Sequence, residues 1–157
     1  MTRPLTIVPF EEQYAKHFKD LNVAWLEKFF EVEPYDKELL ENCQGLILDK
    51  GGFIFFGLVD KQVIGTLALI KLENGVYELV KMAVDEAFQG KGYGNELLRF
   101  IIHFSEKHHW DKLLLYSNTV LENSIHLYRK FGFLEIPMEN DTPYKRGNIK
   151  MELPLKA

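Results

Sequence analysis

The sequence predicts an α/β protein: a mixed, mostly antiparallel central sheet of six to seven strands flanked by about four helices. Three observations lead there. Residues 53–84 hold three β-rich runs joined by turns too short to contain a helix. From Gly92 onward, helical stripes alternate with short apolar strands, and one strand followed by broken helical periodicity precedes both regions. The 157 residues suffice for one domain with a proper core, so we expect a single domain over residues 1–157.

Taken in order, Leu5-Thr6-Ile7-Val8 is a short strand stopped by Pro9. From Glu11 to about Asp49 the pattern is helical but broken. Tyr14, His17, Phe18 and Leu21 recur at spacings of three and four, and Trp25, Leu26, Phe29 and Phe30 continue the stripe. Pro34 interrupts it, Asp36 is placed to cap a further short helix through Leu39-Leu40, and Gly45 ends that helix. Phe53 to Val59 and Val63 to Lys71 are strands around a turn at Asp60-Lys61-Gln62. Asn74-Gly75 is the strongest hairpin signal, because a type I′ turn needs positive φ at both central residues; it leads into a strand from Val76 to Val84. Gly92-Tyr93-Gly94 opens a long helix to about His109, with Leu97, Leu98, Ile101, Ile102 and Phe104 facing a core. Lys112 to Tyr116 is a strand and Leu121 to Phe131 a helix ended by Gly132. Phe133 to Ile136 and Asn148 to Leu153 are closing strands.

Composition narrows the function classes. Hydrophobic residues make up 46%, charged residues 27% and aromatic residues 13%, which describes a folded chain rather than a disordered one. A net charge of −4 and a pI near 5.7 argue against nucleic acid as the main partner, and Lys145-Arg146 is too small a basic patch to change that. With Cys43 the single cysteine, no internal disulfide can form. No apolar run approaches the roughly 20 residues of a membrane-spanning helix, and Met1-Thr2-Arg3-Pro4-Leu5 lacks a signal-peptide core. We therefore expect a cytoplasmic protein with no membrane partner. No Cys/His or His/carboxylate spacing suggests a metal site.

The chemistry concentrates in Gln89-Gly90-Lys91-Gly92-Tyr93-Gly94, between a strand and a helix. Three glycines at alternate positions let a ligand approach the backbone and turn successive N–H groups into one concavity. The N-terminus of the following helix adds its own N–H groups and the positive end of its dipole. Together these favour a phosphate or pyrophosphate. A dinucleotide fingerprint would need a glycine where Asn95 stands, and a Walker A loop would need Ser or Thr where Gly92 stands, so both nucleotide readings fail.

The remaining pattern, Gln89-x-x-Gly92-x-Gly94, resembles the pyrophosphate loop of the GNAT superfamily of N-acetyltransferases. The resemblance runs in order from about residue 53 to residue 136. Glu78 to Val84 is similar to the family's fourth strand. Asn118-Thr119, followed by Ser124 to Phe133 with its Leu127-Tyr128 and Gly132-Phe133 pairs, is similar to the closing helix and strand. It implies acetyl-CoA as cosubstrate, no metal, and a strand that splays from its neighbour so that the backbone of Met82, Ala83 and Val84 bonds the pantetheine arm. The N–H groups from Gln89 through Gly90, Lys91, Gly92, Tyr93 and Gly94 to Asn95 would hold the pyrophosphate. Lys91 either adds a charge near the phosphates or is a solvated loop lysine.

The resemblance also implies that Tyr128 protonates the departing sulfur as general acid, although Leu121, Ile125 and Tyr128 form a stripe that a core would also produce. Asn118 contacts the cofactor, orients Tyr128, or caps the helix. Glu78 is the candidate base. Without a bulge it shares a strand face with Val76, Val80, Met82 and Val84, where burial would raise its pKa. A salt bridge with a lysine, or a bulge turning Glu78 outward, is the alternative, and in some relatives water takes the proton.

In this family the first helices shape the acceptor pocket, which here is the stretch from Trp25 to Asp36. Trp25, Glu31 and Tyr35 are its candidate substrate-binding residues, combining aromatic walls with carboxylates suited to a cationic amine. An amphipathic helix with an acidic solvent face would look the same. The expected reaction is acetyl transfer to a primary amine on a small molecule or amino acid. A protein N-acetyltransferase and a non-catalytic acyl-CoA-binding module are the alternatives. Edge strands near the C-terminus leave a homodimer open, and Met138 to Gly147, rich in turn formers, is a candidate mobile loop over the site.

Overall fold

Residues 53–84 are apolar on both faces of each strand, a pattern that suits the centre of a sheet covered on two sides. The computed structural model describes residues 3–140, 142 and 144–155 and has that arrangement. Its strands are β1 (Thr6–Pro9), β2 (Phe53–Val59), β3 (Gln62–Glu73), β4 (Val76–Val84), β5 (Lys112–Ser117), β6 (Leu134–Ile136) and β7 (Ile149–Pro154). They form a seven-stranded sheet in the order β1-β2-β3-β4-β5-β7-β6, in which β4–β5 is the one parallel pair.

Helices α1 (Ala15–Phe29) and α2 (Pro34–Glu41) cover one face, where Phe18, Leu26, Leu39 and Leu40 pack on Ile54, Phe56, Ala68 and Val80. Helix α3 (Tyr93–Lys107) covers the other, with Leu97, Leu98 and Ile101 against Tyr77, Leu79 and Leu113. Helix α4 (Glu122–Lys130) packs Ile125, Leu127 and Tyr128 on the same core. Full burial of one such side chain stabilises by about 1.5–3 kcal/mol. No described helix is long and apolar enough to cross a membrane.

The seven strands and four α-helices match the expected fold, and the departures have local causes. Pro9 is the last residue of β1 instead of its stop, tolerated because β1 lies at the sheet edge. Glu33, not Asp36, caps α2: Pro34 opens the helix and Asp36 is the third helical residue, its carboxylate accepting the Glu33 N–H at 2.9 Å. That helix ends at Glu41, and Gly45 lies in a separate π turn over Gln44–Leu48. The type I′ geometry expected at Asn74-Gly75 occurs at Asp60 (φ 49°) and Lys61 (φ 69°), between the paired Val59 and Gln62. Of Asn74-Gly75 only Gly75 has positive φ. A register shift between Lys71 and Glu73 absorbs the mismatch there. Of the segment from Met138 to Gly147, Asp141 and Pro143 lie outside the described residues.

Candidate active site

Two irregularities in β4 create the site. The first is its short partnership with β5: Val76, Tyr77 and Glu78 pair with Lys112, Leu113 and Leu114, and the pairing then stops. Beyond Glu78 the strands part, leaving the facing edge of β4 unpaired. A cleft of about 700 Å³ opens there, with β4 from Glu78 to Val84 along one side and Leu115 to Asn118 along the other. The second is a bulge. Ala68 pairs with Val80 but Thr66 with Ala83, so β4 carries one extra residue, and Lys81 adopts a left-handed φ of 54°. Tyr77 and Leu79 pack under α3 before the bulge; Met82 and Val84 do so after it. Glu78 therefore shares its face with Val80 but not with Met82 or Val84, which separates it from two of its expected neighbours.

At one end of the cleft, Gly90 and Gly92 have φ of 75° and 87°, a conformation that costs an L side chain about 1–2 kcal/mol. A Cβ at either would project into open space. The N–H groups from Gly90 to Asn95 meet no partner among the described residues, whereas that of Gln89 is spent on the Glu86 carbonyl at 3.3 Å. Gln89 instead bonds the Val84 carbonyl through its Nε2 at 2.9 Å, tying the loop to β4. Tyr93 turns its buried ring away and donates its hydroxyl to the Arg3 carbonyl at 2.7 Å, so its N–H alone faces the cleft. Asn95 accepts from Lys130 at 3.2 Å. Lys91 is exposed and is not among the cleft-lining residues.

Tyr128 reaches the middle of the cleft from α4, its ring held edge-on by Phe133 at 5.7 Å between centroids. Burial pushes its phenol up to about 12, and the hydroxyl has no hydrogen-bond partner among the described residues, so it keeps its proton near neutral pH. Glu78 lies where the strands part and is 6% exposed. Burial pushes its carboxyl up to about 7, against the pull of Lys81 and Lys150 and with the repulsion of Glu139. Asn118 makes no hydrogen bond to Tyr128: its Oδ1 accepts the Val120 N–H at 2.9 Å and its Nδ2 donates to the Arg146 carbonyl at 2.6 Å. Nor is it a helix cap, since α4 begins after Leu121 with no side-chain cap.

The other end holds a charged cluster. Asp36, wholly buried, accepts two bonds from Arg146 (Nη1 at 2.7 Å and Nη2 at 2.8 Å) and one from Lys81. Glu33 accepts from Arg146 Nη1 at 3.2 Å and from the Lys145 N–H at 3.0 Å, pinning the C-terminal loop to α2. The Tyr144 ring lies between the cations, its centroid 4.7 Å from Lys81 Nζ and 4.3 Å from Arg146 Cζ, with Tyr35 tilted against it at 5.4 Å between centroids. Burial alone would raise the Asp36 pKa, but the bonds from Arg146 and Lys81 outweigh it and hold the carboxyl below its usual range. Burial lowers the Lys81 pKa, and Asp36 offsets part of that shift.

Of the acceptor-side residues expected from the sequence, Trp25 lines the cleft, Tyr35 stands behind Tyr144, and Glu31 is exposed outside it. Lys81, Tyr144 and Arg146 were not anticipated. A signal existed for them: Lys81 is a charge inside an apolar strand, and Lys145-Arg146 is a basic pair in a chain whose segment 31–36 holds three carboxylates. Among the described residues no group of His, Cys, Asp and Glu could hold a metal ion.

Residues 15–133 match the model of the acetyltransferase (GNAT) family. The N-acetylaspartate synthetase of Rattus norvegicus is 30% identical over 112 residues, 71% of this chain and 36% of that protein. The spermine/spermidine N(1)-acetyltransferase of Bacillus subtilis (strain 168) is 37% identical over 65 residues, 39% of this chain and 41% of that protein. The chain thus spans about two fifths or less of the length of these curated relatives. Among solved structures, an acetyltransferase of the GNAT family from Staphylococcus aureus Mu50 has a TM-score of 0.86 at 22% identity, covering 98% of this chain and 100% of its own. The PaiA N-acetyltransferase of Thermoplasma acidophilum, solved in complex with coenzyme A, has a TM-score of 0.76 at 16% identity, covering 96% and 99%.

Proposed function

Since the chain belongs to the acetyltransferase (GNAT) family, we propose that its 157 residues act as one catalytic domain that moves the acetyl group of acetyl-CoA to a primary amine on a small molecule, amino acids included. The single observation that carries this reading is that one cleft runs from the unpaired N–H groups of Gly90 to Asn95, past Tyr128, to Glu78. The free N–H groups and the open space at Gly90 and Gly92 fit a pyrophosphate, and the unpaired edge of β4 at Met82, Ala83 and Val84 fits an amide-bearing arm.

Each residue then has a task. The loop holds the phosphates through backbone groups, so its side chains matter little. Glu78, ionised for about half the molecules at neutral pH, or water in its place, takes the proton that the amine nitrogen loses on attacking the thioester carbon. A C–N bond forms and the C–S bond breaks. Tyr128 gives its phenolic proton to the departing sulfur and is reprotonated through solvent by the proton Glu78 accepted. The balance is a neutral amine plus the thioester going to an amide plus the free thiol, with no redox change.

The experiment is thiol release from acetyl-CoA across small amines, with Tyr128→Phe in parallel. Release requires an amine and falls about 100-fold or more in the variant, the low end of what a positioned general acid contributes. Because the Tyr128 hydroxyl bonds nothing described, the variant keeps its Tm. Binding of acetyl-CoA without release under any amine would contradict the proposal.

A further inference from the structure

We propose that the acceptor amine also carries a carboxylate, as amino acids do, and that Lys81, Tyr144 and Arg146 hold that carboxylate while the amino group meets Glu78. The inference deepens the acetyl-transfer reading and rests on it. The cluster at this end of the cleft is polarised. Its carboxylates, Glu33 at the cap of α2 and Asp36 within it, are committed to Arg146 and Lys81 and do not line the cleft; Lys81, Tyr144 and Arg146 do. A ligand entering from the glycine-loop side meets cations and a phenol first.

Those three residues hold unspent donors. The guanidinium has five N–H groups. The bonds to Glu33 and Asp36 use three, leaving the Nε–H and one Nη2–H without a partner among the described residues. Lys81 uses one of its N–H groups on Asp36. The Tyr144 hydroxyl is buried and meets no partner at all among the described residues. A buried hydroxyl left unpaired costs about 1–3 kcal/mol, so its position needs a reason. An acceptor carboxylate supplies one, because each of its oxygens takes two hydrogen bonds and its charge suits both cations. A polyamine fits worse. The cleft-lining carboxylates are Glu78 and Glu122; the first is committed to the reacting nitrogen and the second opens α4, so a second ammonium would face Lys81 and Arg146.

The test follows thiol release from acetyl-CoA with the common amino acids, each beside the amine left by its decarboxylation, and with spermidine. At least one amino acid is used with kcat/KM about 100-fold above its decarboxylated counterpart, the effect of losing charged hydrogen bonds. Tyr144→Phe removes a hydroxyl with no described protein partner, so the variant folds; it raises KM for that amino acid about tenfold and changes kcat much less. Equal or better use of spermidine or the decarboxylated amines would overturn the inference, as would use of no amino acid. So would a Tyr144→Phe protein with a higher Tm and an unmoved KM, since the hydroxyl would then be merely strained. Calorimetric binding of acetyl-CoA separates the two levels: binding with acetylation indifferent to a carboxylate defeats only this inference, and no binding defeats the acetyl-transfer reading itself.

Discussion

At the glycine-loop end of the cleft, the groups offered to a ligand are backbone N–H groups contiguous in sequence from Gly90 to Asn95. At the other end they are side chains: Lys81 from a bulge in β4, and Tyr144 and Arg146 from the C-terminal loop, with Asp36, 110 positions before Arg146, holding both cations. The first end offers conformation, with the Tyr93 hydroxyl bonded to the Arg3 carbonyl and Lys91 exposed. The second offers charge, with Lys81 and Arg146 both held by Asp36. A site half built from backbone can keep one ligand while the other half changes partner by substituting a few side chains. Tyr128 and Glu78 line the same cleft.

Substitutions break this contrast to different degrees. Asp36→Ala has the largest effect, because it leaves the buried Lys81 side chain and the partly buried Arg146 without their shared carboxylate. The loss is about 3–5 kcal/mol, a fall in Tm of roughly 10 °C for a chain of this size. Acetyl-CoA affinity changes less than about threefold, since the glycine loop is independent of the cluster; scanning and titration calorimetry measure the two. Glu78→Gln comes next and acts on pH dependence. Wild-type kcat/KM rises with pH through about 7 as Glu78 ionises, and the variant loses that limb with about 100-fold of the rate. Stability moves the opposite way. The folded pKa of Glu78 lies above its ordinary value of 4.5, so the folded state binds the proton more tightly and wild-type stability falls between about pH 4.5 and 7. Glu78→Gln is therefore the more stable protein at pH 8, by about 3 kcal/mol.

The remaining two sharpen the backbone half. Gly92→Ala forces an L side chain to φ 87°, straining the loop and weakening acetyl-CoA binding about tenfold by titration calorimetry. Lys91→Ala has the smallest effect, under about threefold in the same titration, because an exposed charge outside the cleft is well screened.

The same contrast explains what the sequence could show. The meander, the β4-to-α3 glycine loop and the order of elements were legible because each rests on local signals: short apolar β-rich runs, turn residues, and glycines where φ turns positive. The bulge at Lys81 was not, since it depends on how β3 and β4 align along their whole pairing and on Asp36 holding the lysine that bulges. Asp36 itself looked like a helix cap because Asp near a helix start usually is one; its partners lie in β4 and the C-terminal loop, where no periodicity points. The type I′ turn was expected at Asn74-Gly75 instead for a related reason. Asp60-Lys61 has no glycine, and only the pairing of β2 with β3 forces both residues to positive φ.

A crystal structure of the protein with coenzyme A tests the central claim most directly. The account predicts pyrophosphate oxygens within hydrogen-bond distance, about 2.7–3.2 Å, of N–H groups between Gly90 and Asn95. It also predicts an arm along Met82 to Val84, and a thiol beside the Tyr128 hydroxyl with Glu78 beyond it. Coenzyme A bound by Lys91 or Lys130 side chains with those N–H groups still unpaired, or seated outside the gap between β4 and β5, would contradict it.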